Sequence, residues 1–334
     1  MNLDHKDDWL KSLQQISNSC ELGILPPLSE LCAILACPHP EWVFPLTTAL
    51  REKAFGNRVH FCTIINAKSG SCTEDCSYCS QSQFHDCEIE KYPLLNEDAM
   101  KSAYDQANSE NIQRVSLVTS GRSASALDCL SIAKASLKNH SAQEHCASLG
   151  ILKRHSLNIL KKGGVQRYHH NLETASSFFP NLCTTHSYEE RIETIKSAQA
   201  EGMSICSGGL FGVGESDEHI VELALALREL KGDAVPINFF VKVRGTRCQA
   251  SPLDPHKCLL IISLFRILLP QSEIIICGGR QEALKDQQRF IFSAGASGMM
   301  TGNYLTTKGT RLSDDIAMVK ELGLEISPSC RNYH

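Results

Sequence analysis

The chain has 334 residues, of which 42% are hydrophobic and 21% are charged, fractions typical of a globular protein rather than a disordered or fibrous one. Its 33 Lys and Arg residues are balanced by 37 Asp and Glu residues, which gives a formal net charge of -4. We therefore expect no basic field that would hold nucleic acid and no polybasic run that would mark a membrane surface.

Two features of the chain predict a cytoplasmic protein. The N-terminal segment MNLDHKDDWL is charged rather than apolar, which is not typical of a secretory signal. The most apolar stretch, residues 258–269, is interrupted by Ser263 and Arg266 and is too short to span a bilayer. We therefore expect a soluble chain that is not bound to a membrane.

Short segments rich in apolar and β-branched residues recur along the chain and predict strands. They cover residues 59–65, 114–119, 144–149, 166–170, 203–207, 235–241, 273–277 and 297–301. Longer segments between them have apolar residues at helical spacing. The clearest of these begins at a capping box, Ser187 with Glu190, and runs to Gly202. Further helices are predicted over residues 28–35, 215–231, 254–269 and 313–322.

Alternation of strand and helix predicts an α/β fold with parallel strands joined by right-handed crossovers. Eight such units close naturally into a (βα)8 barrel of the TIM type. An open doubly wound sheet is the alternative architecture. We assign residues 1–55 to an N-terminal helical extension, 56–325 to the barrel and 326–334 to a C-terminal tail.

Cysteine is unusually frequent, with 16 in the chain. Without a secretory signal, many cysteines indicate metal ligands or redox groups rather than disulfides. Eight of them show no clustering and are interpreted as small buried residues. These are Cys20, Cys32, Cys37, Cys129, Cys183, Cys248, Cys258 and Cys330. Cys87 and Cys277 are left unassigned.

The most specific signal is the segment CTEDCSYC, which places Cys72, Cys76 and Cys79 directly after the first predicted strand. Three thiolates at this spacing can converge on one cubane iron–sulfur cluster, and the missing fourth cysteine leaves one iron open to an exogenous ligand. A structural zinc site is the alternative, but such sites normally take four protein ligands and no matching cysteine pair follows. Chance clustering of surface cysteines is the third interpretation.

The CxxxCxxC spacing resembles the signature of radical S-adenosylmethionine enzymes, and the segment 66–82 resembles the biotin synthase family in particular. The same family resemblance extends through YHHNLET at 168–174, CSGG at 206–209, VPIN at 235–238, VKVRGT at 241–246, GGR at 278–280 and LTT at 305–307. It covers roughly residues 55 to 325. It implies a barrel enzyme, active as a homodimer, that inserts sulfur between two unactivated carbons of dethiobiotin to form biotin.

Breaking an unactivated C–H bond needs an oxidant stronger than any side chain, so a cofactor must supply it. By resemblance, Cys72, Cys76 and Cys79 hold a [4Fe–4S] cluster whose open iron binds S-adenosylmethionine. An electron donor such as flavodoxin or ferredoxin reduces it, and iron–sulfur assembly machinery loads it. The loops after parallel barrel strands, where these cysteines lie, are where barrel active sites form.

The resemblance also implies residues that bind S-adenosylmethionine. The glycine-rich segment 208–215 misses the spacing of a dinucleotide fingerprint but matches a family motif in which Leu210 packs on the adenine. Asn171 and Glu173 are implied to hydrogen-bond the ribose hydroxyls. Taken alone, Glu173 would more often be a solvated carboxylate at a helix start.

An auxiliary [2Fe–2S] cluster deep in the barrel, held by three cysteines and one arginine, is implied as the sulfur donor. Cys146, Cys206 and Arg280 carry over directly, but the fourth position falls at Ser116, and serine is a poorer iron ligand than a thiolate. Cys62 lies on the neighbouring predicted strand, at a level that we expect it to share with Ser116 and Cys146, and it would restore the thiolate. A small core residue is the alternative for Cys62. The cluster type stays open.

Four residues are implied to contact dethiobiotin. Asn238 offers the donor and the acceptor that a ureido ring needs. Thr306 and Thr307 would bind the terminal carboxylate. His169 stands where better-known family members carry an asparagine that contacts the substrate ring, so it is either a substrate contact or a satisfied barrel histidine.

Two other functions are compatible with the triad. A related radical enzyme, such as those of hydrogenase maturation or pyrrolysine synthesis, would keep the three cysteines without needing Cys146, Cys206, Arg280 and Asn238 together. A non-catalytic iron–sulfur electron carrier would need cysteines but no barrel mouth lined with polar residues.

Overall fold

Parallel strands close into a barrel in the computed structural model, which describes residues 6–139, 143–305 and 309–327. The strands in these ranges are β1 (Arg58–Lys68), β2 (Arg114–Thr119), β3 (Glu144–Ser148), β4 (Arg167–His169), β5 (Ser204–Cys206), β6 (Gly209–Phe211), β7 (Ala234–Phe239), β8 (Glu273–Ile276), β9 (Gly298–Met300) and β10 (Glu325–Ile326). All except β6 and β10 follow one another round the ring, and pairing of β1 with β9 closes it. The predicted (βα)8 barrel is confirmed.

The fifth barrel strand is interrupted, whereas the sequence predicts one continuous strand over 203–207. Both β5 and β6 pair with β7, through Cys206 with Ala234 and Gly209 with Ile237. Between them, a β-carbon on Gly208 would lie 1.9 Å from the carbonyl oxygen of Pro236, so only glycine permits this approach. Because glycines depress strand propensity, β6 is not predicted from the sequence.

Helices separate the strands and also form the N-terminal extension. They are α1 (Lys6–Glu21), α2 (Leu28–Leu35), α3 (Phe44–Phe55), α4 (Glu97–Ser109), α5 (Ala126–Leu137), α6 (Arg154–Lys162), α7 (Tyr188–Ala200), α8 (Asp217–Leu230), α9 (Pro255–Leu268), α10 (Arg280–Leu284) and α11 (Leu312–Glu321). The predicted capping box of α7 is present, since Ser187 and Glu190 each accept a backbone N–H from the other.

The N-terminal extension explains the most apolar segment of the chain. Helices α1, α2 and α3 pack against α9, which lies between them and the barrel. Every α9 residue from Cys258 to Leu268 is consequently buried, including Arg266. The Arg266 guanidinium donates to the carbonyl oxygens of Gly295 and Ser272 at 2.8 and 2.9 Å, which satisfies much of its hydrogen-bonding capacity. Within the described part of the chain, each helix is too short or too polar to cross a membrane.

The N-terminal end of the barrel interior is closed by a network of ion pairs. Arg114 lies 2.8 Å from Glu273 and 2.6 Å from Glu144, and Arg167 lies 2.7 Å from Glu273. Burial alone would raise the pKa of Glu273, but the two guanidinium groups hold it well below its usual range. The buried charges are thus paired beneath the cavity that contains the predicted site.

Candidate active site

A cavity of about 380 Å³ lies inside the barrel and opens towards the C-terminal ends of the strands. Its wall brings together most of the predicted site residues, namely Cys62, Cys79, Ser116, Cys146, His169, Asn171, Glu173, Cys206, Leu210 and Asn238. A second, open groove of about 730 Å³ lies beside α7 and carries none of them. Thr306 and Thr307 lie outside the described residues.

The three triad cysteines lie on a tight loop after β1. Cys72 accepts from the Gln83 amide and its own amide donates to the Gln81 carbonyl, at 2.8 and 3.0 Å. The amide of Cys79 donates to the Cys76 carbonyl at 3.0 Å. These bonds fold the loop back on itself. The Cys79 thiol lies close enough to the Cys72 and Cys76 thiols for ionisation of one to raise the pKa of another.

Burial raises the pKa of the Cys79 thiol to about 11. A bound cation reverses this effect, because a coordinating thiol is deprotonated. Cys72 and Cys76 are each 9% exposed, so the donor set is sheltered from solvent. Three sheltered thiols with no fourth from the same motif fit a cubane cluster with one open iron.

Cys183, interpreted from the sequence as a plain buried residue, lies against this loop. Its thiol lies near that of Cys76 and is 3.2 Å from Nδ1 of His186. Ligand atoms of Glu74, Cys183 and His186 all lie within 4.8 Å of one another, and His186 also bonds to Glu74. These contacts attach the triad loop to the segment that precedes α7. The spacing Cys-x-x-His is the signal in the sequence that marks this group.

The rim beside the triad is built from the segment after β4. Oδ1 of Asn171 accepts from the Gly208 amide at 3.1 Å, and its Nδ2 donates to Glu173 at 3.4 Å. Arg191 donates to the Asn171 carbonyl at 2.8 Å and lies 3.6 Å from the Glu173 carboxylate. Burial raises the pKa of Glu173, although Arg191 opposes the shift. A carboxylate and an amide are thereby fixed side by side at the mouth.

The glycine-rich segment 208–215 forms β6 and a turn rather than a phosphate-binding loop. The Leu210 amide donates to the Glu173 carbonyl at 2.7 Å, which places Leu210 next to the rim. The Glu215 carboxylate accepts from the amides of Gly212 and Val213 at 2.6 and 2.8 Å. Because Glu215 takes these backbone donors, they are not available to a phosphate.

Asn238 on β7 bridges its two neighbouring strands. Its Nδ2 donates to the Gly209 carbonyl at 3.1 Å, and its Oδ1 accepts from the Gly278 amide at 3.0 Å. A carboxamide has one further N–H and one further lone pair. Asn238 can therefore offer a donor and an acceptor to the cavity while its orientation is fixed by the backbone.

The inner cysteines occupy one level of the barrel. Because barrel strands are tilted, register partners on neighbouring strands do not lie at the same height. A residue at the same height is found by following the register partners across two strands and then counting two residues towards the C-terminus of the second strand. Starting from Cys62, this construction gives Cys146, then Cys206, then Ile275, and then Cys62 again. Three thiols from alternate strands thus face one another across the barrel axis.

Ser116 belongs to the next level towards the mouth. It pairs with Ile64 on β1 and with Cys146 on β3, whereas Cys62 pairs with Arg114, two residues before Ser116. The expectation that Cys62, Ser116 and Cys146 share a level is therefore correct for the two cysteines and wrong for the serine. Ser116 Oγ is buried and has no hydrogen-bond partner among the described residues.

Cys277, left unassigned from the sequence, is a fourth thiol on the same wall. It follows β8 directly, two residues beyond Ile275, and belongs to one cluster with Cys62, Cys206 and Ile275. The thiols of Cys62 and Cys277 are close enough for each to shift the pKa of the other, while Cys62 donates to the Met299 carbonyl at 3.9 Å and Cys277 to the Ile275 carbonyl at 3.6 Å. The proximity of the two thiols lowers the pKa of Cys62 and, together with burial, raises the pKa of Cys277.

Arg280, which follows Cys277 by three residues, is held in a buried ion pair. Its Nη2 lies 2.9 Å from Asp315, and both side chains are 1% exposed. Nη2 also donates to Thr310 at 3.1 Å, and Nη1 donates to Gln288 at 3.0 Å. Among the described residues that line the cavity, Arg280 is absent.

Two family models match the chain. The Radical SAM superfamily model matches residues 68–227, and the Biotin and Thiamin Synthesis associated domain matches residues 236–325. The first covers the triad loop and the rim, and the second covers Asn238 on β7 and Cys277 directly after β8.

Solved structures share the fold at low sequence identity. Methylornithine synthase superposes with a TM-score of 0.79 and 19% identity over 93% of this chain and 97% of that one. The FeFe-hydrogenase maturase from Carboxydothermus hydrogenoformans gives a TM-score of 0.78 and 18% identity over 98% of this chain and 82% of that one. These likenesses show the barrel alone.

Curated relatives are more similar in sequence. A biotin synthase from Desulfatibacillum aliphaticivorans is 44% identical over 94% of this chain and 97% of its own length. One from Geobacter metallireducens is 42% identical over 96% and 99%. The triad, the rim and the inner cysteines lie within these matched lengths. This chain belongs to the biotin synthase family of the radical S-adenosylmethionine superfamily.

Proposed function

We propose that this chain converts dethiobiotin to biotin by radical insertion of sulfur, which makes it a sulfurtransferase. The observation that carries the proposal is one cavity whose wall includes both Cys79 of the triad and the inner thiols of Cys62, Cys146 and Cys206. Sulfur insertion needs a C–H bond to be broken and a sulfur source within reach of the same substrate. A single chamber with thiol groups at its mouth and at its floor meets both needs.

Each group of thiols has the donor set for an iron–sulfur cluster. When bound, a [4Fe–4S] cluster on Cys72, Cys76 and Cys79 would supply the electron that cleaves S-adenosylmethionine to methionine and a 5′-deoxyadenosyl radical, and an auxiliary cluster would supply the sulfur. Side chains of the strands form most of the chamber wall, so the substrate would react inside the barrel rather than on its surface.

The rim residues are suited to hold S-adenosylmethionine. We expect the Glu173 carboxylate and the Asn171 amide to accept and donate hydrogen bonds to the ribose hydroxyls, and Leu210 to pack on the adenine. Arg191 bonds to both Asn171 and Glu173 and so acts as a positioning residue. The three proposed contacts lie on one side of the mouth, beside Cys79.

Dethiobiotin would lie deeper, between the two groups of thiols. Asn238 is our proposed contact to the ureido ring, because its amide is fixed by two backbone bonds and faces the cavity. His169 lies on the same wall and is a second candidate contact. Thr306 and Thr307 stay predicted contacts to the carboxylate.

By family resemblance, the auxiliary cluster takes Cys146, Cys206 and Arg280 as ligands. Cys62 is our proposed replacement for the missing thiolate, because it lies at the level of Cys146 and Cys206, one level below Ser116. Whether the cluster is [2Fe–2S], as the resemblance implies, depends on this ligand set.

The proposal requires partners. A one-electron donor such as flavodoxin or ferredoxin reduces the cluster, and iron–sulfur assembly machinery loads both sites; a reducing cytoplasm keeps the thiols available. The expected homodimer is supported by an exposed apolar stripe on α5, where Leu127, Leu130 and Leu137 lie on one face and are 76%, 42% and 56% exposed.

The test is turnover after anaerobic reconstitution with iron and sulfide. S-adenosylmethionine and a flavodoxin reducing system are added with and without dethiobiotin, and 5′-deoxyadenosine and biotin are counted by mass spectrometry. We expect both products only with dethiobiotin, with about two 5′-deoxyadenosine per biotin, one for each C–H bond replaced. Cys76→Ala should lose both products, whereas Cys258→Ala, a buried cysteine of α9, should keep them.

Two outcomes would contradict the proposal. Cleavage of S-adenosylmethionine regardless of dethiobiotin would favour a related radical enzyme with another substrate. No cleavage at all by a fully iron-loaded protein would favour an electron carrier. Near-normal cleavage by Cys76→Ala would remove that residue from the triad site.

A further inference from the structure

We infer that Cys62, Cys146, Cys206 and Cys277 form a four-thiolate site for the auxiliary iron–sulfur cluster, and that Arg280 is the counter-ion of Asp315 rather than a ligand. The inference rests on the proposed function and deepens it by naming the complete ligand set. It changes two of the four ligands that the family resemblance implies.

The first argument is the position of the thiols in the barrel. A TIM-type interior is filled in levels of four side chains, each level contributed by alternate strands. Cys62 on β1, Cys146 on β3 and Cys206 on β5 fill three places of one such level, and Ile275 on β8 fills the fourth. The level thus lacks a ligand only at β8.

Cys277 supplies a thiol directly after β8. It lies two residues after Ile275, so its side chain faces the same way as that of Ile275, and it lines the cavity. It packs in one cluster with Cys206, Ile275 and Cys62. By the same construction Cys277 lies two levels nearer the mouth than Cys62, with the level of Ser116 between them. A cluster of several irons is larger than a single ion, so a ligand at this height can close the set.

The second argument concerns the chemistry of Arg280. A guanidinium paired with a carboxylate stays protonated and has no lone pair to give to iron. Arg280 is in this condition, since Nη2 is 2.9 Å from the equally buried Asp315 and Nη1 donates to Gln288. Withdrawing Arg280 towards the cavity would leave the Asp315 charge buried and unpaired, which is strongly unfavourable.

The third argument is ligand preference. Thiolate sulfur is the usual donor to iron in both [2Fe–2S] and [4Fe–4S] clusters, and four cysteines complete either type. A neutral arginine nitrogen is a harder donor that needs deprotonation of a strongly basic group. Where four thiols already line one chamber, no arginine is needed to complete the site.

The experiment isolates the auxiliary site in the full-length chain. Cys72, Cys76 and Cys79 are replaced together by alanine, so that only auxiliary iron remains after anaerobic reconstitution. Cys277→Ala, Cys277→Ser, Arg280→Lys and the control Cys258→Ala are then made in this background. Bound iron and acid-labile sulfide are counted after gel filtration, and the far-ultraviolet circular dichroism of each protein checks that the barrel is folded.

We expect Cys277→Ala to lose more than half of the auxiliary iron while staying folded, and Cys277→Ser to retain less iron than the background. Arg280→Lys keeps a positive charge beside Asp315 and should retain the iron, as should Cys258→Ala. Pulsed EPR of the reduced background protein should show no strongly coupled nitrogen on the cluster.

Two results would overturn the ligand set while leaving the proposed function in place. One is full iron retention by both Cys277 variants. The other is loss of iron in folded Arg280→Lys together with a strongly coupled nitrogen in the background protein. A background protein that holds no iron at all would instead show that there is no auxiliary cluster, and the proposed function would fail together with this inference.

Discussion

The Nδ1 atom of His169 lies 3.3 Å from the Sγ atom of Cys206, and the two residues are register partners on β4 and β5. Burial lowers the pKa of His169 to about 4, so the ring is neutral near pH 7 and carries one N–H. A metal-bound cysteine is a thiolate and can only accept, so Nδ1 would be the donor. His169, a proposed substrate contact, is thus also in contact with a proposed cluster ligand.

This contact predicts an effect on reduction potential. Hydrogen bonds to ligand sulfur stabilise the reduced cluster, so His169→Leu should lower the potential of the auxiliary cluster, whereas His169→Asn, which keeps a donor, should change it less. Anaerobic redox titration followed by EPR measures both shifts. An unchanged potential combined with weaker dethiobiotin binding would show instead that His169 serves the substrate.

The buried pair of Arg280 and Asp315 predicts a large effect on stability. Removing one partner leaves an uncompensated charge among buried side chains, so Asp315→Ala should reduce the free energy of unfolding by about 3–5 kcal/mol. The neighbouring Asp314 pairs with Arg311 at 3.0 Å, where the two side chains are 47% and 83% exposed. Asp314→Ala should therefore cost less than about 1 kcal/mol.

Urea unfolding of the cluster-free proteins, followed by circular dichroism, measures the free energy of unfolding of the two aspartate variants. Similar midpoints for Asp315→Ala and Asp314→Ala would mean that the Arg280 charge is not held by Asp315. That outcome would also remove the main reason for treating Arg280 as a structural residue.

The barrel and the triad could be predicted from the sequence because both depend on short-range patterns. Strand periodicity, a capping box at Ser187 and the spacing of Cys72, Cys76 and Cys79 are each read within a few residues. The interrupted fifth strand could not be predicted, because it depends on the approach of Pro236 to Gly208, two positions far apart in the chain.

The inner site was predicted only in part for the same reason. Cys62, Cys146 and Cys206 are brought together by strand register, which a single sequence does not specify. The level of Ser116 cannot be predicted from one sequence, because it depends on how the tilted strands are paired. Cys183 and Cys277 have no cysteine within three residues, so only the fold reveals that they lie beside Cys76 and Cys62.

Asn238 predicts a test of substrate binding. Removing a buried polar partner typically costs about 1–3 kcal/mol, so Asn238→Ala should weaken dethiobiotin binding by tens-fold, as measured by calorimetry on cluster-loaded protein. Asn158 lies on α6 and bonds to Glu201 at the outer surface, so Asn158→Ala is the matched control and should bind normally. Unchanged affinity in a folded Asn238→Ala protein would place the ureido ring elsewhere.

The final prediction concerns the junction between β5 and β6. Gly208 accepts backbone bonds from Leu172 and Glu173 at 3.0 and 3.2 Å and donates to Asn171, so it fixes the rim proposed to bind S-adenosylmethionine. A β-carbon there would lie 1.9 Å from the Pro236 carbonyl oxygen, and this backbone atom cannot move aside cheaply.

Gly208→Ala should therefore push β6 away from β7 and displace Asn171 and Glu173. We expect this displacement to weaken binding of S-adenosylmethionine at least tenfold. We also expect overpacking to lower the free energy of unfolding by about 1–3 kcal/mol. At Gly232 the nearest atom to an added β-carbon is 3.8 Å away, so Gly232→Ala should leave binding and unfolding nearly unchanged. Equilibrium dialysis with cluster-loaded protein and thermal unfolding measure the two effects. The steric conflict at Pro236 arises whichever residues bind the ribose. Normal cofactor binding by Gly208→Ala would therefore show that cofactor binding does not depend on this junction.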